Sequence, residues 1–196
     1  MYEKILRRIE QEDADETVWI VGPATGRMLH WLIRVVQPEF VLEVGTSVGY
    51  SAVWMASALE SNGKGKLWTV ESHTERFERA QKNIAEAGLE HRIHQVKGHA
   101  PEVFREADLP AELDFVFLDA TKMEHTAYFE AIFPRLRANA FLVVDNVQSH
   151  RFGQMQEFIR KLHADPRLKV VEISVGDGLL IARTGAIEEL DERSFF

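Results

Sequence analysis

Apolar residues in this chain fall at two spacings. Short apolar runs at 40–44, 66–70, 93–96, 115–118 and 141–144 have the length of buried strands and lack polar alternation. Between them, at 51–59, 75–87, 101–106 and 126–136, apolar residues recur three and four apart, which predicts helices. Strands alternating with helices predict an α/β fold: a mostly parallel sheet with helices on both faces. A further helix at 155–162 and two strand-like runs at 169–173 and 179–182 follow. Gly176-Asp177-Gly178 between the last two runs reads as a tight connection, so these runs form an antiparallel hairpin that brings the sheet to seven strands.

Upstream, Ile5, Leu6 and Ile9 share one face of a helix over 2–10, and the acidic stretch 13–16 reads as loop. Met28, Leu29, Leu32, Ile33 and Val36 recur at helical spacing after the Gly22-Pro23 turn signal, until Pro38 ends that helix. Residues 1–38 are thus a helical cap region on a single domain spanning 1–196, long enough for one substantial core.

Charge narrows the partners. With 23 Lys and Arg against 31 Asp and Glu, the net charge is -8, which repels a polyanion, so no nucleic acid partner is expected. The chain has no cysteine, which excludes disulfides and thiolate metal sites. The first residues are charged without a signal-like apolar core, and no window has bilayer-spanning length. A cytoplasmic protein with no membrane partner is the expectation.

In open parallel sheets, ligands bind at the carboxyl ends of the strands. Here those ends carry Gly45, Glu71, Gly98-His99, Asp119 and Asp145-Asn146. The first end, EVGTSVGYS at 43–51, runs from strand through glycine turn into helix. It therefore presents free backbone N–H groups to a carboxylate or phosphate. Gly45 and Gly49 allow the sharp turn and a close ligand. One acidic residue at a strand end is equally a helix cap or a solvated loop residue. Five such ends converging make a site.

Four segments in order resemble the class I S-adenosylmethionine-dependent O-methyltransferases, within them the metal-dependent group of catechol and caffeoyl-CoA O-methyltransferases. These are EVGTSVGYSA (43–52), VESHTERFERAQKNIAEAG (70–88), LDFVFLDATK (113–122) and LVVDNV (142–147), with VGDGLLIAR (175–183) similar to the closing hairpin. The resemblance implies a Rossmann-like sheet and transfer of the methyl of S-adenosylmethionine to a hydroxyl of a small, ortho-dihydroxy aromatic acceptor. For the cofactor it implies Val21, Gly45, Gly49, Tyr50 and Ser51 at the methionine end, Glu71 on the ribose hydroxyls, and His99 and Ala100 by the adenine, with Asp119 at the same cleft. Ser51 is equally a plain helix cap. Relatives often carry an acidic residue at the His99 position, so His99 is also readable as a loop histidine.

The resemblance further implies a divalent metal on Asp119, Asp145 and Asn146, all hard oxygen donors that suit Mg²⁺ first, with Mn²⁺ or Ca²⁺ as alternatives. Asp145-Asn146 is otherwise an Asx-turn or helix cap. Lys122, three residues after Asp119, matches the general base; a second positive charge nearby favours the neutral amine of such a lysine. By itself Lys122 reads as a surface lysine. His91, His94 and His99 complete no zinc site, while His125 and His150 are candidates for the mouth. Trp19 is a candidate pocket wall, and Trp31 and Trp54 fall in helical patterns as core. Glu172 is the candidate for an acidic residue holding the second acceptor hydroxyl. Ile5, Leu6, Ile9, Phe195 and Phe196 are candidates for the apolar contact of a homodimer. Two rival readings stand: an NAD-dependent oxidoreductase, whose turn would read G-x-G-x-x-G, and a non-catalytic S-adenosylmethionine-binding module.

Overall fold

The computed structural model describes residues 2–15, 18–105 and 107–185. Its strands are β1 (Phe40–Val44), β2 (Lys66–Glu71), β3 (Ile93–Lys97), β4 (Leu113–Leu118), β5 (Leu136–Val144), β6 (Leu168–Ile173) and β7 (Leu179–Thr184). They form one sheet in the order β3-β2-β1-β4-β5-β7-β6. The pairs β1–β2, β2–β3, β1–β4 and β4–β5 are parallel, and β7 runs antiparallel between β5 and β6. The sheet is therefore Rossmann-like and mostly parallel, closed by the expected hairpin. Chain order reverses direction between β1 and β4, which opens a crevice at their carboxyl ends.

Among the described residues, six α-helices cover the sheet: α1 (Tyr2–Asp15), α2 (Gly22–Val36), α3 (Tyr50–Asn62), α4 (Thr74–Ala87), α5 (His125–Ile132) and α6 (Gly153–Ala164). Successive strand residues point to opposite faces. Val41, Phe115, Phe117 and Val143 pack with α1 to α4, while Leu42, Val116, Leu118, Leu142 and Val144 pack with α5 and α6. Each such side chain contributes about 1.5–3 kcal/mol by leaving water. Helix α3 is apolar around most of its circumference, since it lies between the sheet and α2. That crossing is close at Gly26, where a Cβ would collide with the Trp54 indole.

Several boundaries differ from the expectation. Helix α1 continues through the acidic stretch to Asp15, with Glu12 paired to Arg8 and Arg79. The helix expected over 126–136 stops at Ile132, gives one 3-10 turn at Phe133–Arg135, and β5 already starts at Leu136. Pro134 lacks the N–H a continuing helix needs, and the polar residues Arg137 and Asn139 hide the start of the strand from a search for apolar runs. At 101–106 the described part is a 3-10 turn, Glu102–Arg105.

Trp31, expected in the core, is 58% exposed on the outer face of α2, whereas Trp54 packs against the core. Ile5, Leu6 and Ile9 are buried within the chain's own core, so the apolar contact expected of them is made inside the molecule. Phe195 and Phe196 lie outside the described residues. No helix among the described residues is long and apolar enough to cross a membrane.

Candidate active site

The crevice at the β1/β4 switch holds a cavity of about 440 Å³, lined by Gly45, Ser47, Glu71, His99, Asp119 and Lys122 among others. Its floor depends on Gly45. That residue sits at φ 104°, and a Cβ there would collide with the Asp119 carbonyl oxygen, so the ends of β1 and β4 approach only because the side chain is missing. The turn is tied sideways as well, since Gly45 and Thr46 both donate N–H to the Val70 carbonyl.

Glu71, at the end of β2, is buried. Its Oε2 accepts from the Ser47 N–H and its Oε1 from the His73 N–H, both at 2.8 Å. Two backbone donors fix the carboxylate's plane, and each oxygen keeps a lone pair for a further donor. Past the end of the neighbouring strand β3, His99 lies 3.0 Å from Glu102 and 3.4 Å from Glu124. The hydrogen bond to Glu102 and the Glu124 charge raise its pKa above the usual imidazole value. Ala100 lines the cavity beside His99.

Of the other residues read for the cofactor, Val21, Gly49, Tyr50 and Ser51 sit behind the cavity lining. The Tyr50 ring is buried and its hydroxyl donates to Glu10 on α1 at 2.6 Å. Ser51 is buried at the start of α3. Gly49, at φ 86°, packs against Ala80 of α4. The cavity is instead lined by Ser47 of the same turn and by Trp19 and Ile20 ahead of α2. Ser47 Oγ donates to the Val18 carbonyl at 2.9 Å and so pins that segment to the turn. Trp19 has φ 57°, costly for a bulky residue, and is 69% exposed over the cavity.

The other half of the cavity is acidic. Lys122 Nζ donates to Asp119 Oδ1 at 2.7 Å. Asp145 is buried beside them, and its Oδ1 has no hydrogen-bond partner. Burial, followed for Asp145 by the Asp119 charge, pushes both carboxyls above the usual carboxylate range, against the pull of Lys122. Asn146 holds φ 62°, a left-handed conformation that asparagine tolerates. Its Nδ2 donates to Asp177 Oδ2 at 3.3 Å, which leaves its carbonyl oxygen outside that bond.

Asp177 was read in the sequence only as part of a turn. Pairing of β7 with β5 swings the hairpin tip beside Asn146 and puts Asp177 in the cavity wall. The acidic residue in that Gly-x-Gly tip was the available signal. Glu172 does not line the cavity: it is paired with Arg151 and His163. His150 lines it and stacks on Phe152 at 6.0 Å, but His125 is fully buried rather than at the mouth.

The donor set fits a hard divalent cation. It comprises two carboxylates and an amide oxygen, and an orphaned buried carboxylate oxygen is costly without a positive partner. No group of three His, Cys, Asp or Glu side chains with metal-binding geometry occurs among the described residues. The candidate set has two such residues, with Asn146 as the third donor.

Comparison with known proteins agrees with this geometry. The O-methyltransferase family model matches residues 2–185. A catechol O-methyltransferase of Niastella koreensis is 37% identical over 131 residues, 65% of this chain and 58% of that enzyme. A caffeoyl-CoA O-methyltransferase of Populus kitakamiensis is 26% identical over 178 residues, covering 81% of this chain and 75% of its own. The O-methyltransferase TomG of Streptomyces achromogenes, solved with S-adenosylmethionine, superposes with a TM-score of 0.80 at 29% identity, over 93% of this chain and 90% of its own. These matches leave the oxidoreductase reading without support. With its switch-point cavity, its sheet order and a match along nearly its whole length, the chain belongs to the O-methyltransferase family, the class I S-adenosylmethionine-dependent enzymes that include the catechol and caffeoyl-CoA O-methyltransferases.

Proposed function

We propose that this chain methylates one hydroxyl of a small vicinal dihydroxy aromatic, with a divalent cation on Asp119, Asp145 and Asn146 and with Lys122 as the base. The observation that carries this reading is the unpartnered, buried Asp145 oxygen next to the Lys122–Asp119 pair. When bound, S-adenosylmethionine supplies an electrophilic methyl on a cationic sulfur, and the cation supplies charge that gathers two acceptor oxygens and favours loss of a hydroxyl proton.

The chain's own residues do the rest. Glu71, already fixed by two backbone donors, accepts the ribose hydroxyls. Gly45 lets the ends of β1 and β4 close up as the floor under the cofactor, and His99 and Ala100 flank the adenine. Val21, Gly49, Tyr50 and Ser51 shape the turn from behind. Lys122 takes the proton of the reacting hydroxyl, and Asp177 accepts a hydrogen bond from the second hydroxyl. Trp19 and His150 wall the ring. Holding the oxyanion in line with the methyl lowers the barrier by orientation, so no covalent enzyme intermediate is needed.

The test is methyl transfer from labelled S-adenosylmethionine to a catechol panel with Mg²⁺ and with EDTA. Turnover lost in EDTA and restored by Mg²⁺ is expected. Turnover indifferent to EDTA removes Asp119, Asp145 and Asn146 as metal ligands. Binding of the cofactor with no turnover on any member of the panel defeats the vicinal-diol reading.

A further inference from the structure

Lys122 stands on a 3-10 turn, Lys122–Glu124, that leads directly into α5. Helical side chains lean back toward the preceding turn, so positions 125 and 128 reach residues 121 and 124. Both do so here. His125 Nδ1 lies 3.1 Å from the Thr121 carbonyl, and the Tyr128 hydroxyl donates to Glu124 at 2.6 Å. The turn bearing Lys122 is thus gripped at its two ends from below.

The grip by His125 is the less expected one. The ring is fully buried, between Tyr128 and Phe158. A carbonyl partner requires Nδ1 to carry the proton, which leaves Nε2 a bare acceptor, and that atom is buried with no partner. Burial first, then the Lys122 charge, pushes the pKa down to about 4, so the ring is neutral at neutral pH. A buried, unpaired nitrogen is a stability cost. That cost offsets much of what the Nδ1–H bond to Thr121 contributes to stability.

We infer that His125 is a positioning residue for the base: its Nδ1–H holds the Thr121 carbonyl and thereby aims Lys122 at the reacting hydroxyl. This rests on the reading of Lys122 as the base. It predicts that stability and turnover move apart on substitution. H125F keeps a ring of similar size and removes both the orphaned nitrogen and the Nδ1–H bond, two changes of opposite sign, so its melting temperature stays close to that of wild type. Its kcat nonetheless falls about ten- to hundredfold, the scale of an ångström-level misplacement. KM for S-adenosylmethionine and for catechol stays within about twofold, since ground-state binding is not involved.

H125N places an amide N–H where Nδ1–H was and should regain kcat to within about threefold of wild type, whereas H125Q, with its amide one bond farther out, should not. If H125F folds poorly, the H125N and H125Q pair carries the same comparison. Wild-type kcat in H125F, or equal loss in H125N and H125Q, overturns the inference. K122A run alongside separates the two levels. A dead K122A with a fully active H125F sinks the positioning role alone, and a K122A that turns over normally sinks the base and the positioning role together.

Discussion

Glu43 shows how one buried residue ties the binding turn to the stability of the protein. It lies on β1 with no exposure, accepts from Thr69 Oγ1 at 2.5 Å, and has an orphaned Oε1. Burial raises its pKa from 4.5 to about 7, so the folded protein holds a proton there that the unfolded chain releases. The sign follows from linkage. The contribution is fully present below about pH 4.5 and is lost as pH rises through about 7. E43Q cannot titrate, so its stability relative to wild type should climb between those limits and then level off. The climb is on the order of 3 kcal/mol at most. Urea midpoints of both proteins in EDTA at pH 5, 6, 7 and 8 check it, and a flat difference refutes it. His125 tilts the other way: its pKa is lowered to about 4 by burial, so its contribution is lost as pH falls from 6.5 through 4. Neither effect was legible in the sequence, because burial and hydrogen-bond satisfaction depend on what packs around a residue. The residue types at the strand ends were legible, since period and chain order put Gly45, Glu71 and Asp119 at a common edge. Tyr50 was not: its neighbours in the chain belong to the glycine turn, but its hydroxyl goes to Glu10, 40 residues away.

At the scale of elements, the sheet has a working end and an anchoring end. Asp114 opens β4 at the anchoring end. Its Oδ2 accepts from the Glu39 and Phe40 N–H groups, and its Oδ1 from Arg137 at 3.0 Å. One carboxylate thus joins the starts of β1, β4 and β5. D114A strips these bonds and should destabilise the protein by roughly 1–3 kcal/mol. The length of β1, roughly 15 Å, separates that point from the cavity, so affinity for S-adenosylhomocysteine should stay unchanged. Calorimetric binding and thermal unfolding on the same sample decide it; an affinity loss that tracks the stability loss would mean the two ends are coupled. The sequence predicted every strand but misplaced the start of β5, because Arg137 and Asn139 are polar and break the apolar run, and it is Leu136, paired with Leu113 of β4, that starts the strand. It likewise predicted the hairpin but not that β7 inserts between β5 and β6. That insertion is a fact of strand order, and it is what delivers Asp177 to the site.

For the whole molecule, the acidic half of the cavity gathers buried carboxyls that resist ionisation. Burial raises the proton affinity of both Asp119 and Asp145, the Asp119 charge adds to it at Asp145 and the Asp177 charge at both, and Lys122 offsets only part. A cation bound there takes the place of the protons, so its affinity should depend on pH. Mg²⁺ should bind weakly at pH 5 and more tightly as pH approaches about 7, the value to which Asp145 is pushed. Because only the folded state brings Asp119, Asp145 and Asn146 together from two different strand ends, binding must also raise the unfolding temperature. Thermal unfolding of EDTA-stripped protein over a Mg²⁺ series at pH 5, 6 and 7 reads both effects at once. A melting temperature that rises with Mg²⁺ at pH 7, less at pH 5, and not at all in D145N is the expected pattern. D145N keeps the size of the side chain but removes its charge, so a Mg²⁺ response of wild-type size in that variant would place the cation elsewhere. A response independent of pH would mean that the raised carboxyls are not the groups the cation displaces protons from. The same variant also relieves the unpaired carboxylate, so without metal it should melt no lower than wild type at pH 8, where the charge is fully developed.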